Sequence, residues 1–198
     1  MTLLIGLGNL QRGDDGVGIA VVRRVAEIAT GDVEVVESDD PASLIDTWSG
    51  VEQVVVVDAM KSDRPAGTVL TLDVTETPLP SDGWAKGGTH SLGLAAAIEL
   101  SRALGRLPRR LVVVGVEVGG LTAGAELTPA VDCASASVAA SAIDPWRRAA
   151  TAAALRPQAL ISSLTHPSTS RAHRSSSTFS PRSTRICTCE SRTPQSPG

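Results

Sequence analysis

The residues best suited to chemistry in this sequence are acidic side chains and one histidine, each placed after a strand-like run or a loop. Asp14 and Asp15 follow the apolar run Thr2–Leu7. Asp58 ends a run of valines, and His90 ends a long loop. Ligands of an open α/β sheet bind at the carboxyl ends of its strands, so side chains at these points converge. Carboxylate and imidazole groups suit a divalent transition metal such as nickel or zinc, which polarises a carbonyl or lowers the pKa of water.

Each of these positions also has a purely structural explanation. Paired aspartates at the start of a helix cap free N–H groups and favour the helix dipole. Asp58 can cap the following turn, and His90 can cap the next helix. Capping explains each of these groups singly, whereas three such groups, each on the C-terminal side of a strand, favour one shared site.

Other signatures of catalysis or nucleotide binding do not fit the sequence. The third glycine of a dinucleotide-binding loop would fall on Gln11, and Glu37 at the end of the second strand is not a secure ribose anchor. Walker A and G-x-S-x-G sequences do not occur. Cys133 falls inside a predicted helix and is assigned to packing. A metal-like group in the C-terminal segment is assigned to chance: His166, His173, Cys187 and Cys189.

The elements that must position these groups alternate between strand and helix. Short apolar or β-branched runs predict five strands: Thr2–Leu7, Val33–Val36, Gln53–Asp58, Thr68–Val74 and Leu111–Val118. Helical spacing and turn signals predict four helices, over residues 17–28, 41–48, 91–104 and 129–148. Such alternation suits right-handed βαβ crossovers. We therefore expect a three-layer α/β/α fold, hydrolase- or phosphorylase-like, whose twisted five-stranded sheet is mostly parallel.

Charge divides the chain near residue 150. Residues 1–150 hold 12 basic and 20 acidic side chains, whereas residues 151–198 hold 6 basic and 1 acidic. The second segment also contains 11 Ser, 7 Thr and 5 Pro and shows no apolar periodicity. We expect a folded domain over 1–150 and a disordered tail over 151–198. A frameshift near residue 155 or a natural linker would each produce such a tail.

Composition also excludes several classes of protein. An acidic domain argues against a nucleic-acid partner. No run of 18 apolar residues or signal peptide occurs, and the three cysteines form no disulfide framework. We expect a cytoplasmic protein that does not bind membranes.

Four blocks together resemble the hydrogenase maturation endopeptidases. The blocks are LLIGLGNLQRGDDGVG (3–18), VVVVDAM (54–60), THSLGL (89–94) and ELTPAV (126–131), and they occur in the order and spacing of that family over residues 2–148. The resemblance implies an aspartic-type endopeptidase that removes the C-terminal extension from the large-subunit precursor of [NiFe]-hydrogenase after nickel insertion. It also implies one antiparallel strand, at Thr68–Val74.

The resemblance also implies which residues act. The acidic residue after the glycine loop falls on Asp15, the second carboxylate on Asp58 and the histidine on His90. These three would contact the nickel that the substrate carries and would form the catalytic site. Some relatives have Glu where this chain has Asp15, and Glu37 falls near a further acidic position only if a gap is allowed. The expected partner is the precursor, and the enzyme is expected to be a monomer.

Two other functions stay open at this point. Peptidyl-tRNA hydrolases also begin with a strand followed by GLGN, but the acidic domain opposes a tRNA ligand. A nickel-binding maturation factor without catalytic turnover would keep the same polar positions.

Overall fold

The computed structural model describes residues 1–29, 33–80, 93–154 and 184–186. The strands are β1 Thr2–Leu7, β2 Val33–Ser38, β3 Gln53–Met60, β4 Thr68–Asp73, β5 Arg110–Glu117 and β6 Thr184–Ile186. The α-helices are α1 Val17–Ile28, α2 Leu44–Thr47, α3 Leu94–Ala103 and α4 Pro129–Ala154. Two 3-10 segments, Leu10–Gly16 and Pro41–Ser43, precede α1 and α2.

These strands form one sheet with the order β2-β1-β3-β5-β4-β6. Strands β2, β1, β3 and β5 are parallel, and β4 is antiparallel to β5. The chain passes from β1 outward to β2 and then back across β1 to β3. The sheet therefore has a topological switch point between β1 and β3, where a ligand crevice is expected.

The core is aliphatic and lies on both faces of the sheet. Alternate residues of β1 face opposite sides, so Leu3 and Ile5 join one cluster and Leu4 joins the other. Helices α2 and α3 cover the first face, while α1 and α4 cover the second. The expected three layers and the mostly parallel sheet with an antiparallel β4 are confirmed.

The bounds of several elements differ from the prediction. Strand β3 continues to Met60 because β5 pairs with it along its whole length, up to Met60 beside Glu117. Helix α3 begins at Leu94 after an extended Gly93, three residues later than expected. Helix α4 begins at Pro129 as predicted but continues to Ala154, beyond the predicted end at residue 148.

A sixth strand was not expected. Thr184–Ile186 pairs antiparallel with β4, with Leu70 beside Thr184. The strand at residues 184–186 differs from the expectation that the tail has no structure, and the difference concerns these three residues only. The outer edge of β4 has unpaired N–H and C=O groups, which a short segment containing β-branched residues satisfies. Residues 155–183 and 187–198 lie outside the described part of the chain, so the domain boundary at residue 150 stays a prediction.

In the part of the chain that the structure describes, we find no helix that is both long and apolar enough to span a membrane.

Candidate functional site at the carboxyl end of the sheet

Asp15 lies in the 3-10 segment between β1 and α1. Its side chain is partly buried. Its main chain passes directly over Gly8, where an added Cβ would lie 1.9 Å from the carbonyl oxygen of Asp15. Gly8 also has a φ of +142°, a conformation that other residues rarely adopt. The glycine loop after β1 thus allows the main chain of Asp15 to return over the end of the strand.

Asp58 lies within β3, at the point where the strand loses its neighbour on one side. The pairing of β1 with β3 ends at Gly6 and Val57, whereas β5 continues to pair through Asp58 and Gly115. Asp58 is therefore the first residue of β3 that has no pairing partner in β1. The loop that carries Asp15 passes over Gly8, just after the neighbouring strand β1.

Asp15 and Asp58 lie close enough for the charge of one to act on the other. Burial raises the pKa of Asp58 to about 8, against the lowering effect of the Ala59 N–H group, and the negative charge of Asp15 raises it further. The Ala59 N–H group donates to Asp58 Oδ1 at 2.9 Å. Asp58 therefore keeps its proton near neutral pH, and a cation beside these two carboxylates would favour its ionised form.

His90, the third predicted group, lies outside the residues that the structure describes. It precedes Gly93, the residue before α3, by three positions. Across residues 1–29, 33–80, 93–154 and 184–186, no group of three or more His, Cys, Asp or Glu side chains is arranged to hold a metal ion. The described part of the site is therefore the pair Asp15 and Asp58.

Asp14 has a different position from its neighbour, which the sequence did not reveal. Its side chain is fully buried. Its carboxylate accepts hydrogen bonds from the N–H groups of Gly119, Gly120 and Thr128 at 2.8, 2.9 and 2.6 Å, and from the Thr128 hydroxyl at 3.0 Å. The two residues of the pair Asp14-Asp15 thus differ, since the first is turned into the protein and the second is partly exposed.

Glu117 is a second buried carboxylate that sequence reasoning missed. It ends β5, is fully buried, and accepts two hydrogen bonds from the Ser62 N–H group and one from the Ser62 hydroxyl. It thereby holds the turn after β3. A polar residue ending the valine-rich run of β5 was the available sequence signal.

Glu37 lies beside an open cavity of about 260 Å³ on the β2 side of the crevice. The cavity is also lined by Gly8, Asn9, Leu10, Ile19, Ser38 and Asp39. Both carboxylate oxygens of Glu37 accept hydrogen bonds from Arg23 at 2.8 Å, which lowers the pKa of Glu37. This ion pair connects β2 to α1, so Glu37 is held in a structural contact.

Cys133 is partly buried on α4, a position consistent with the packing role expected for it.

The arrangement has a definite chemical capacity. Two carboxylates beside the switch point offer oxygen ligands to a divalent metal, and one of them carries a proton that it exchanges near neutral pH. Gly8, over which the main chain of Asp15 passes, also lines the open cavity beside Glu37.

Comparison with known proteins gives one consistent result. A family profile described as hydrogenase maturation protease matches residues 19–144, a range that includes Asp58 and His90. The hydrogenase 2 maturation protease of Escherichia coli is 28% identical over 134 residues, which are 66% of this chain and 80% of that protein. The hydrogenase expression/formation protein HupD of Thiocapsa roseopersicina is 27% identical over 118 residues, 58% of this chain and 53% of that protein.

Solved structures share the fold. The hydrogenase maturating endopeptidase HybD from E. coli superposes with a TM-score of 0.62 at 24% identity, covering 75% of this chain and 93% of that one. The [NiFe] hydrogenase maturation protease HycI from Thermococcus kodakarensis superposes with a TM-score of 0.60 at 24% identity, covering 74% and 92%. The three-layer arrangement is therefore that of these structures.

Proposed function

This chain belongs to the hydrogenase maturation protease family and is a peptide hydrolase that acts in hydrogenase processing, and we propose that its substrate is a large-subunit precursor loaded with nickel. In this proposal the enzyme removes the C-terminal extension of the precursor. Nickel belongs to the substrate, and the enzyme recognises it as a sign that metal insertion is complete.

The observation that supports the proposal is the electrostatic interaction of Asp15 with Asp58 at the carboxyl end of the sheet. The charge of Asp15 adds to the cost of ionising Asp58, and a cation placed against both carboxylates removes that cost. Nickel accepts oxygen and imidazole ligands, so His90 is the third group in the proposal. Two carboxylates would suit an aspartic-type endopeptidase, the class that the resemblance implies. The chain has no D-[TS]-G pair, the motif typical of the aspartic dyad.

We assign the carboxylates first to recognition and positioning. Contacts from Asp15, Asp58 and His90 to the substrate's nickel would hold the scissile bond in one orientation, which converts an encounter into a reaction within a complex. Water then attacks the peptide carbonyl, assisted by the metal or by a carboxylate. Asp58 holds a proton at neutral pH in the free enzyme. Contact with nickel would release that proton, because metal ligation requires the ionised carboxylate.

The deciding experiment is conversion of a nickel-loaded large-subunit precursor to its shorter form by the purified full-length chain. The wild type is expected to cleave the loaded precursor and not the nickel-free one. Asp15→Asn and His90→Ala are expected to abolish cleavage. Asp46→Asn is the matched control, because Asp46 is exposed on α2 in an ion pair with Arg106.

Three outcomes would contradict the proposal. Cleavage that survives both substitutions would refute the site. Binding of the loaded precursor without any cleavage would favour a maturation factor without turnover. Release of peptide from peptidyl-tRNA would place the chain with the tRNA hydrolases instead.

A further inference from the structure

We propose that Asp14 is a positioning residue for the hydrolysis: by tying the segment before α1 to the loop of residues 119–128, it sets the place of Asp15 in the crevice. This inference rests on the proposed function. It concerns a residue whose side chain does not face the crevice, and it assigns separate tasks to two adjacent aspartates.

The carboxylate of Asp14 makes several contacts with the loop of residues 119–128. Oδ2 of Asp14 accepts from the N–H groups of Gly119 and Gly120, and Oδ1 accepts from the N–H group of Thr128. The hydroxyl of Thr128 donates to Oδ2 as well. This one buried carboxylate thus accepts four hydrogen bonds, three of them from main-chain N–H groups, so it connects the two segments firmly.

Main-chain hydrogen bonds reinforce the same connection. The Asp14 N–H group donates to the Gly120 carbonyl at 3.1 Å, and the Gly124 N–H group donates to the Gln11 carbonyl at 2.8 Å. The 3-10 segment Leu10–Gly16 is therefore attached to the 119–128 loop at both of its ends. Thr128 also accepts from the N–H group of Asp132, the first bond of α4, so the loop itself is anchored to a helix.

The main chain of Asp15 is held from two directions. On one side Gly8 approaches the Asp15 carbonyl so closely that no Cβ fits between them. On the other side the preceding residue, Asp14, is held by its N–H group and its carboxylate. With its main chain fixed from both directions, Asp15 has little freedom to move relative to Asp58. A displacement of about 1 Å in such a site can reduce a rate about 100-fold.

The test compares two isosteric substitutions in the full-length chain. Asp14→Asn places an amide NH₂ group against N–H donors. Glu117→Gln does the same at the buried carboxylate that accepts from Ser62. Both variants are expected to melt at a lower temperature than the wild type. Only Asp14→Asn is expected to lower kcat for the nickel-loaded precursor, by about 10- to 100-fold, with KM little changed.

A milder pair of variants covers the case in which Asp14→Asn does not fold. Thr128→Val removes the hydroxyl donor to Asp14 and keeps the N–H donor, while Thr128→Ser keeps both. Thr128→Val is expected to lower kcat by about 3- to 10-fold, less than Asp14→Asn does, because it removes only one of the four hydrogen bonds. Thr128→Ser is expected to keep the kcat of the wild type. Equal kcat in the two variants would overturn the proposal.

Amide hydrogen exchange gives a readout that does not depend on cleavage. Asp14→Asn is expected to speed exchange in residues 10–16 more than Glu117→Gln does. If the wild type fails to cleave the loaded precursor, the proposed function fails, and unequal exchange would still support the connection between the two segments. If the wild type cleaves and Asp14→Asn keeps a kcat equal to that of Glu117→Gln, the positioning role fails while the proposed function stands.

Discussion

Gly18 and Val57 are in direct backbone contact, since a Cβ on Gly18 would lie 2.4 Å from the carbonyl oxygen of Val57. Gly18 is the second residue of α1, the helix that follows Asp15, and Val57 precedes Asp58 in β3. The helix after one carboxylate thus rests on the strand that carries the other. The two glycines Gly6 and Gly18 make this crossing possible, because a Cβ on Gly6 would meet the Gly18 carbonyl oxygen at 2.4 Å.

We therefore expect Gly18→Ala to destabilise the protein and to separate the two carboxylates. The added methyl group meets main-chain atoms that cannot rotate away, so the loss should reach or exceed the about 1–3 kcal/mol typical of overpacking. Urea denaturation measures it. Gly120→Ala is the control, because a Cβ there meets nothing within 4 Å. Equal stability of the two variants would show that α1 can shift without cost.

Stability should fall as pH rises, because of Asp58. The unfolded chain ionises this residue near its ordinary pKa of 3.8, while the folded protein keeps the proton up to about 8. Between these values the folded state binds more protons, so its free energy of unfolding decreases with increasing pH. The Asp58→Asn variant has no ionisable group at this position. Its stability relative to the wild type is expected to increase from about pH 4 to about pH 8, and a constant difference across that range would contradict the raised pKa.

The kcat/KM for precursor processing should increase with pH, whereas stability decreases. If Asp58 contacts the substrate's nickel, it must first lose its proton, so kcat/KM is expected to rise about tenfold per pH unit below about pH 8 and then level off. The measurement uses precursor whose nickel content is determined at each pH. Asp46→Asn should follow the same profile as the wild type. A flat profile would remove Asp58 from the contact with nickel.

Truncation after Ala154 tests the role of the basic tail. The truncated chain loses β6, whose Thr184–Ile186 pairs with β4. We expect it to fold and to process precursor as the full chain does, with stability lower by about 1–2 kcal/mol from lost strand pairing. Exposure of the β4 edge should increase self-association, which light scattering detects. Loss of folding or of activity would show that the segment is required.

Much of the fold was predictable because it is encoded in local periodicity. The apolar run Thr2–Leu7 and the valines before Asp58 have no helical spacing and are bounded by turn residues, so they predicted buried parallel strands. The start of α4 at Pro129 followed from Thr-Pro. Strand ends were less predictable, since β3 continues to Met60 only because β5 pairs with it there.

The sequence by itself determined the order of the elements, because apolar periodicity is a local property, and its motifs indicated Asp15, Asp58 and His90 through their resemblance to a known family. Only the tertiary structure decided which aspartate of the adjacent pair is buried. Asp14 meets Gly119 at a separation of 105 residues, and no local pattern records such a bond. The tertiary structure likewise decided that Asp15 raises the pKa of Asp58, because a charge acts through distance in space and not along the chain.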